Sequence, residues 1–366
     1  MRMKLTPSAV LIAAFAIPGV GHAAESFGLR SFMTDEVLNE SLVEDQAVTP
    51  VDYRLVGCDS CGDSACGEPS CGCDDSYGCG DVCCGSTCGG CAEPCILVTT
   101  LLGCFEDSDH CFDDWISPMT NPVFFEDPRT LTELRGIFIQ HKVPSTAGGG
   151  DVQLYAVQIR AALTDRLSLI ATKDGYAVSD NPLIADGWAD VALGLKYNLV
   201  RDTCTQTLLS AGAVYEMPVG STRTLQGNGD GEFHLFLTGG TEICCDWHLI
   251  SALGLRLPAD DDAESTSMYW SNHVDYHFGN GFYALAEFNW YHWLESGAGG
   301  VAGVSGGDLF NFGSTGIAGN DIVTGAFGVK YKPNRYYELG LAWENPLTQR
   351  RDVLENRLTA DLILRY

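Results

Sequence analysis

With 366 residues and a hydrophobic share of 45%, the chain is long and apolar enough to bury a large core, which excludes a disordered protein. A formal charge of -27, with only 21 Lys and Arg and no basic stripe, excludes a nucleic-acid binder, because phosphate neutralisation needs clustered cations.

The amino terminus reads as an export signal. "MRMK" is a short cationic start, "LTPSAVLIAAFAIPGV" an apolar stretch, and "GHA" places small residues where a signal peptidase cuts. Residues 1–23 are therefore expected to be removed, with cleavage after Ala23 or Ala24. Pro7 and Pro18 interrupt a run already short for a spanning helix of ~20 residues, which argues against a retained anchor. Residues 24–57 form an acidic linker with no recognisable chemistry.

Eleven cysteines then crowd into Cys58 to Cys95 among Gly, Ser and Asp. Almost nothing there is apolar, so cross-links would have to hold the stretch together, and residues 58–128 are read as a Cys-rich periplasmic segment. Cys58 and Cys61, like Cys88 and Cys91, also have metal-knuckle spacing, but an oxidising compartment favours disulfides, and no metal or other cofactor is expected. Cys104, Cys111, Cys204, Cys244 and Cys245 complete the disulfide candidates and bring the total to an even 16. Because the last three fall in short turns, at least one cross-link is expected to tether the segment to the rim it approaches.

From Arg129 onward the chain alternates. In "GWADVALGLKYNLV" Leu193, Leu195, Tyr197 and Leu199 share one face, and Asp190, Lys196 and Asn198 the other. Twelve such segments are expected: 129–142, 151–163, 167–173, 187–200, 206–217, 231–243, 246–257, 267–278, 281–294, 321–332, 336–345 and 352–366. Alternation alone suits a soluble sandwich as well. The connections decide, because short links ("TDR", "CCD", "GNG", "PNR") take turns with long ones, as in a transmembrane barrel. Both ends of the series fall on the short-turn side, where the first and last strands can pair and remove the open edge. The expected fold is all-β, a twelve-stranded antiparallel transmembrane barrel over residues 129–366, behind an irregular Cys-rich segment. Two details fit poorly: Trp188 has interior parity, and Glu133 and Arg135 share parity with Ile137 and Ile139.

Trp247, Trp270, Trp290, Tyr337, Trp343 and Tyr366 lie toward strand ends, where interfacial aromatic girdles collect. The opposite parity assigns Gln158, Arg160, Asp190, Lys196, Glu216, Glu232, His234, Glu242, Arg256, Glu287, Lys330, Glu338, Glu344, Arg357 and Asp361 to the lumen. Such residues either line a permeation path or pair off and fill the interior. In "HVDYHF", His273, Asp275 and His277 point the same way, but ligands two apart on a strand lie about 7 Å from one another, long for one small ion. They are read as lumen decoration. No nucleophile elbow, His-Glu-x-x-His, phosphate loop or dinucleotide fingerprint occurs, so no enzymatic activity is expected.

"AALTDRLSLIATKDGY", "DGWADVALGLKYNLV" and "LLSAGAVYEMPVG" resemble the bacterial outer-membrane barrel family of the MetA pathway of phenol degradation, whose members are described as transporters. The likeness covers roughly residues 136–366 and implies an exported barrel passing small compounds, aromatic ones among them. The Cys-rich segment departs from the family pattern. The expected function is an outer-membrane channel or uptake protein for small solutes, with the lipid bilayer as partner. The alternative is a structural envelope anchor whose Cys-rich segment contacts neighbouring envelope proteins. Oligomeric state is left open.

Overall fold

A computed structural model describes residues 105–299 and 302–366. The expected signal peptide, the linker and Cys58, Cys61, Cys88, Cys91 and Cys104 lie outside the described residues.

The alternating segments form β1 (Glu133–Lys142), β2 (Asp151–Ala162), β3 (Leu167–Lys173), β4 (Tyr176–Ser179), β5 (Gly187–Trp188), β6 (Val191–Asp202), β7 (Thr207–Met217), β8 (Glu232–Cys244), β9 (Trp247–Pro258), β10 (Ser267–Gly279), β11 (Phe282–Trp293), β12 (Asp321–Asn334), β13 (Tyr337–Pro346) and β14 (Asn356–Arg365). They pair antiparallel into one sheet, and β1 pairs with both β2 and β14, from Glu133 opposite Arg365 to Lys142 opposite Asn356. The sheet is therefore a closed barrel. Its fourteen segments fill twelve positions, because β3 and β4 both run along β2, and β5 pairs with β4 in the line that β6 continues beside β3.

Several expected boundaries move. The third strand does not stop at Lys173: after a break at Asp174 and Gly175 it resumes as β4, and the Asp174 carboxylate accepts the Val157 N–H at 2.8 Å in place of the lost ladder partner. Gly175 makes this break at φ 124°, a backbone region that strongly favours glycine. The interruption at Ala189 and Asp190, between β5 and β6, resets the pleat, so Trp188 points outward at 66% exposure against its sequence parity. The first strand begins at Glu133 rather than residue 129, and the last at Asn356 rather than 352, because residues 129–132 and 352–355 are held by hydrogen bonds outside the ladder.

Outside the barrel, Leu193, Leu195, Tyr197, Phe233, Leu235, Leu339 and Leu341 are exposed, whereas inside, their strand neighbours Lys196, Asn198, Glu232, His234 and Glu338 are buried. This inverts the usual arrangement, in which large apolar residues are the ones removed from the surface.

Residues 105–132, part of which composition groups with the Cys-rich stretch, run inside the barrel. The segment enters at the short-turn end, where Glu106 N–H donates to Ala162 O at 2.9 Å and Ser108 N–H to Tyr366 O at 2.8 Å. It turns near Asn121, which adopts φ 51°, and returns beside itself, with Asp109 N–H on Thr130 O at 2.9 Å, to begin β1. Phe112, Trp115, Ile116, Met119, Phe124 and Phe125 are all buried. Inward-facing glycines make room for two of them: a Cβ at Gly240 would lie 2.5 Å from the Trp115 ring, and one at Gly340 would meet the Met119 sulfur.

Replacing Gly240 with Leu should therefore expel Trp115 while leaving the barrel closed. The expected result is a loss of about 1–3 kcal/mol, the usual cost of overpacking, with red-shifted tryptophan emission and unchanged strand content by circular dichroism.

Candidate functional site

The residues assigned to the lumen by parity face inward. Gln158, Arg160, Asp190, Lys196, Glu216, Glu232, His234, Arg256, His273, Asp275, Glu287, Lys330, Glu338, Glu344, Arg357 and Asp361 are buried, and Glu242 and His277 are half-buried at the short-turn rim. Trp247, Tyr337 and Tyr366 sit at the short-turn end of the outer face, and Trp270, Trp290 and Trp343 nearer the long loops, which makes two bands. Cys111 is buried in the inner segment, and its carbonyl accepts the Gln206 side-chain N–H at 3.1 Å, beside the turn that carries the exposed Cys204. Cys244 and Cys245 are half-buried in the β8–β9 turn at the same end.

Charges in the lower lumen are arranged in pairs that the inner segment completes. Glu126 accepts from Arg160 at 2.6 Å and from Lys196 at 2.8 Å, and Lys196 also reaches the carbonyls of Asp127 and Arg129. Arg129 pairs with Asp127 at 2.7 Å. The wall supplies the remaining partners: Arg135 with Asp361 at 2.8 Å, Arg365 with Glu133 and Glu338 at 2.8 Å each, and Lys330 with Glu338 and Asp361 at 3.1 Å each. Taking such ions out of water is costly unless geometry and hydrogen bonds compensate, and here nearly every head group has two or more partners.

The His273 region forms a chain rather than a metal site. His248 Nδ1 lies 2.8 Å from Asp275, the other Asp275 oxygen is 3.0 Å from His273 Nε2, and His273 Nδ1 is 2.6 Å from Glu287. Glu287 in turn accepts from the backbone N–H groups of Met119 and Thr120 at 2.7 and 2.6 Å. The chain thus grips the inner segment just before its turn. His277 is not part of it: a register shift follows it, and its ring stacks on Tyr283 at 4.4 Å. Among the described residues no cluster of His, Cys, Asp and Glu is arranged to hold a metal ion.

Above the turn of the inner segment the lumen changes character. A small cavity, open at its mouth, lies between Pro122 and Val123 below, Ile137, Ile139, Val152 and Leu154 on the wall, and Leu309 and Phe310 of the β11–β12 loop above. This explains the parity conflict of β1: Glu133 and Arg135 face the charged tier, and Ile137 and Ile139 the apolar one. Three buried polar atoms on the cavity's lining residues, Gln158 Oε1, Thr172 Oγ1 and Thr224 Oγ1, have no hydrogen-bond partner among the described residues. Gln158 is held in place by its amide, which donates to Pro122 O at 2.7 Å and Thr172 O at 2.5 Å.

Sequence reasoning missed Glu126, Asp127 and Arg129, since nothing in their spacing distinguishes a lumen segment from a loop. It also missed His248 and Arg135, although the inward parity of both was available, and Lys173, which shares parity with the outward Leu169 and turns inward only after the register shift beyond Ala171.

No protein-family model matches this sequence, the phenol-degradation family included, and no curated protein matches it. Solved structures do. The COG4313 outer membrane channel from Pseudomonas putida F1 is 12% identical, with a TM-score of 0.47, covering 69% of this chain and 100% of that one. The KdgM porin is 10% identical with a TM-score of 0.40, covering 64% and 99%, and the NanC porin 9% identical with a TM-score of 0.41, covering 64% and 98%.

Glu126→Gln should leave Lys196 without its paired carboxylate, while Arg160 keeps Glu133. Breaking a buried pair in this way costs about 3–5 kcal/mol, and the denaturation midpoint should fall accordingly. The double variant Glu126→Gln, Lys196→Met should lose less than the sum of the two single changes.

Proposed function

We propose that the chain is an outer-membrane channel or uptake protein for small solutes, exported by a cleaved signal peptide over residues 1–23. The observation that carries this reading is the inverted barrel, apolar outside and charged inside, with a closed ladder that leaves no edge unpaired. Only a hydrocarbon surround makes that distribution favourable, since each backbone polar group left unpaired there would cost several kcal/mol. The two aromatic bands support the same placement.

The interior supports a particular kind of solute. The charged tier is filled by paired groups and offers no wide aqueous path, whereas the upper cavity is mostly apolar with three unused hydrogen-bonding atoms. Such a site suits a compact apolar body bearing one or two polar groups, small aromatic compounds among them, better than a hydrated ion. Passage then requires the inner segment to shift. The paired charges of the lower lumen also favour the second reading, an envelope anchor that conducts nothing. In either case we propose that the Cys-rich stretch preceding the inner segment lies on the periplasmic side, with at least one cross-link to Cys204, Cys244 or Cys245.

Conductance in planar bilayers and solute uptake into proteoliposomes distinguish the two. The wild type should conduct ions weakly yet admit a small phenol faster than a charged solute of equal size, and Gly240→Leu or Glu126→Gln should raise the current. Silence in all three proteins, with no uptake, would sink the channel reading and leave the anchor. The lipid-facing surface is tested separately. Leu195→Arg should destabilise the bilayer-embedded barrel by about 2–4 kcal/mol, and Lys at Asp202, in the strand's last position at the short-turn end, by much less.

A further inference from the structure

Three of the long loops meet at a joint beside the upper cavity. The β9–β10 loop (259–266) brings Glu264 there, the β7–β8 loop (218–231) brings Gly229, and the β11–β12 loop (294–320) brings Asn311 and Gly313. A Cβ at Gly229 would lie 3.3 Å from Glu264 Oε2, and one at Gly313 would lie 2.9 Å from Glu264 N, so the three loops are in close contact. Asn311 ties them to the wall. Its amide donates to Glu232 at 2.8 Å and to Ser265 O at 3.0 Å, while its oxygen accepts Ser265 N–H at 2.9 Å. Arg256 donates to Glu232 at 2.6 Å and to Gly307 O at 2.8 Å.

The charges at this joint do not balance. Glu264, Glu232 and Glu216 face Arg256 and Lys173; Arg256 pairs through Nε with Glu232, leaving its Nη2 without a hydrogen bond among the described residues, and Lys173 pairs with Glu216 at 2.5 Å. Asp260, in the same loop as Glu264, adds a further carboxylate nearby. Glu264 is the member left over. It is only 6% exposed, and its Oε2 has no hydrogen-bond partner among the described residues.

We propose that Glu264 is a proton-operated clasp: neutral, it lets the three loops close together beside the cavity, and ionised, it loosens them. Burial and the neighbouring Glu232 carboxylate push its pKa up to about 8, from an ordinary 4.5. The closed arrangement therefore holds a proton that an opened, hydrated Glu264 would release. Closure is at full strength below pH 4.5, weakens as pH rises, and reaches its minimum above pH 8. Each pH unit within that window shifts the loop equilibrium by up to about tenfold.

Hydrogen exchange of residues 305–313, measured on the full chain in detergent and corrected for the intrinsic pH dependence of exchange, tests this directly. Wild type should lose protection by at least about tenfold between pH 6 and pH 8, and Glu264→Gln, which cannot ionise, should stay protected throughout. Glu232→Gln frees Arg256 to pair with Glu264 and should move the transition to lower pH. Parallel profiles in wild type and Glu264→Gln would overturn the clasp. So would loss of protection in Glu264→Gln at every pH, which would show that packing rather than charge holds the joint.

Discussion

A charge turned into the interior of a barrel must find a partner there, and that requirement organises this molecule. The wall strands point Arg135, Arg160, Lys196, Lys330, Arg357 and Arg365 inward, but the wall alone does not satisfy them all. Lys196 has Glu126 and two carbonyls of the inner segment as its partners, and Arg160 divides its guanidinium between Glu126 and the wall residue Glu133. The inner segment is thus a counter-charge as much as a filler. Its own Arg129 is balanced by Asp127, two residues away, which lets it carry a cation into the lumen without adding a net positive charge.

The same requirement divides the barrel along its axis. Where the inner segment supplies ions and carbonyls, the wall is polar; above its turn at Asn121 one side of the wall, Ile137, Ile139, Val152 and Leu154, is apolar and the β11–β12 loop descends to meet it. At the joint between the tiers, the chain His248, Asp275, His273, Glu287 holds Met119 and Thr120 by their backbone N–H groups. A solute moving down from the cavity would have to break that hold. The cavity is bounded by the long loops on one side and the inner segment on the other, with the barrel wall around it.

Particular residues show which features were legible in the sequence. The alternation of Leu193, Lys196 and Tyr197 announces a strand with unlike faces, and the alternation of short and long links selects a barrel over a sandwich. Parity also placed nearly all of the inward charges. It failed at Trp188 because a two-residue break resets the pleat, and at β1 because Ile137 and Ile139 face an apolar compartment that only the loops and the inner segment create.

Residue type and period were enough to establish the number of strands, their order, the closing of the first on the last and the face most side chains take wherever no break or bulge intervenes, because a strand has only two faces and a sheet edge must be covered. The filling of the barrel was decided in three dimensions. Glu126 meets Lys196 across 70 residues of chain, Trp115 lies against Gly240, and Gln226 reaches the Leu309 carbonyl at 2.9 Å. Such pairings follow from how the segments thread and fold back, and a local pattern carries no record of them.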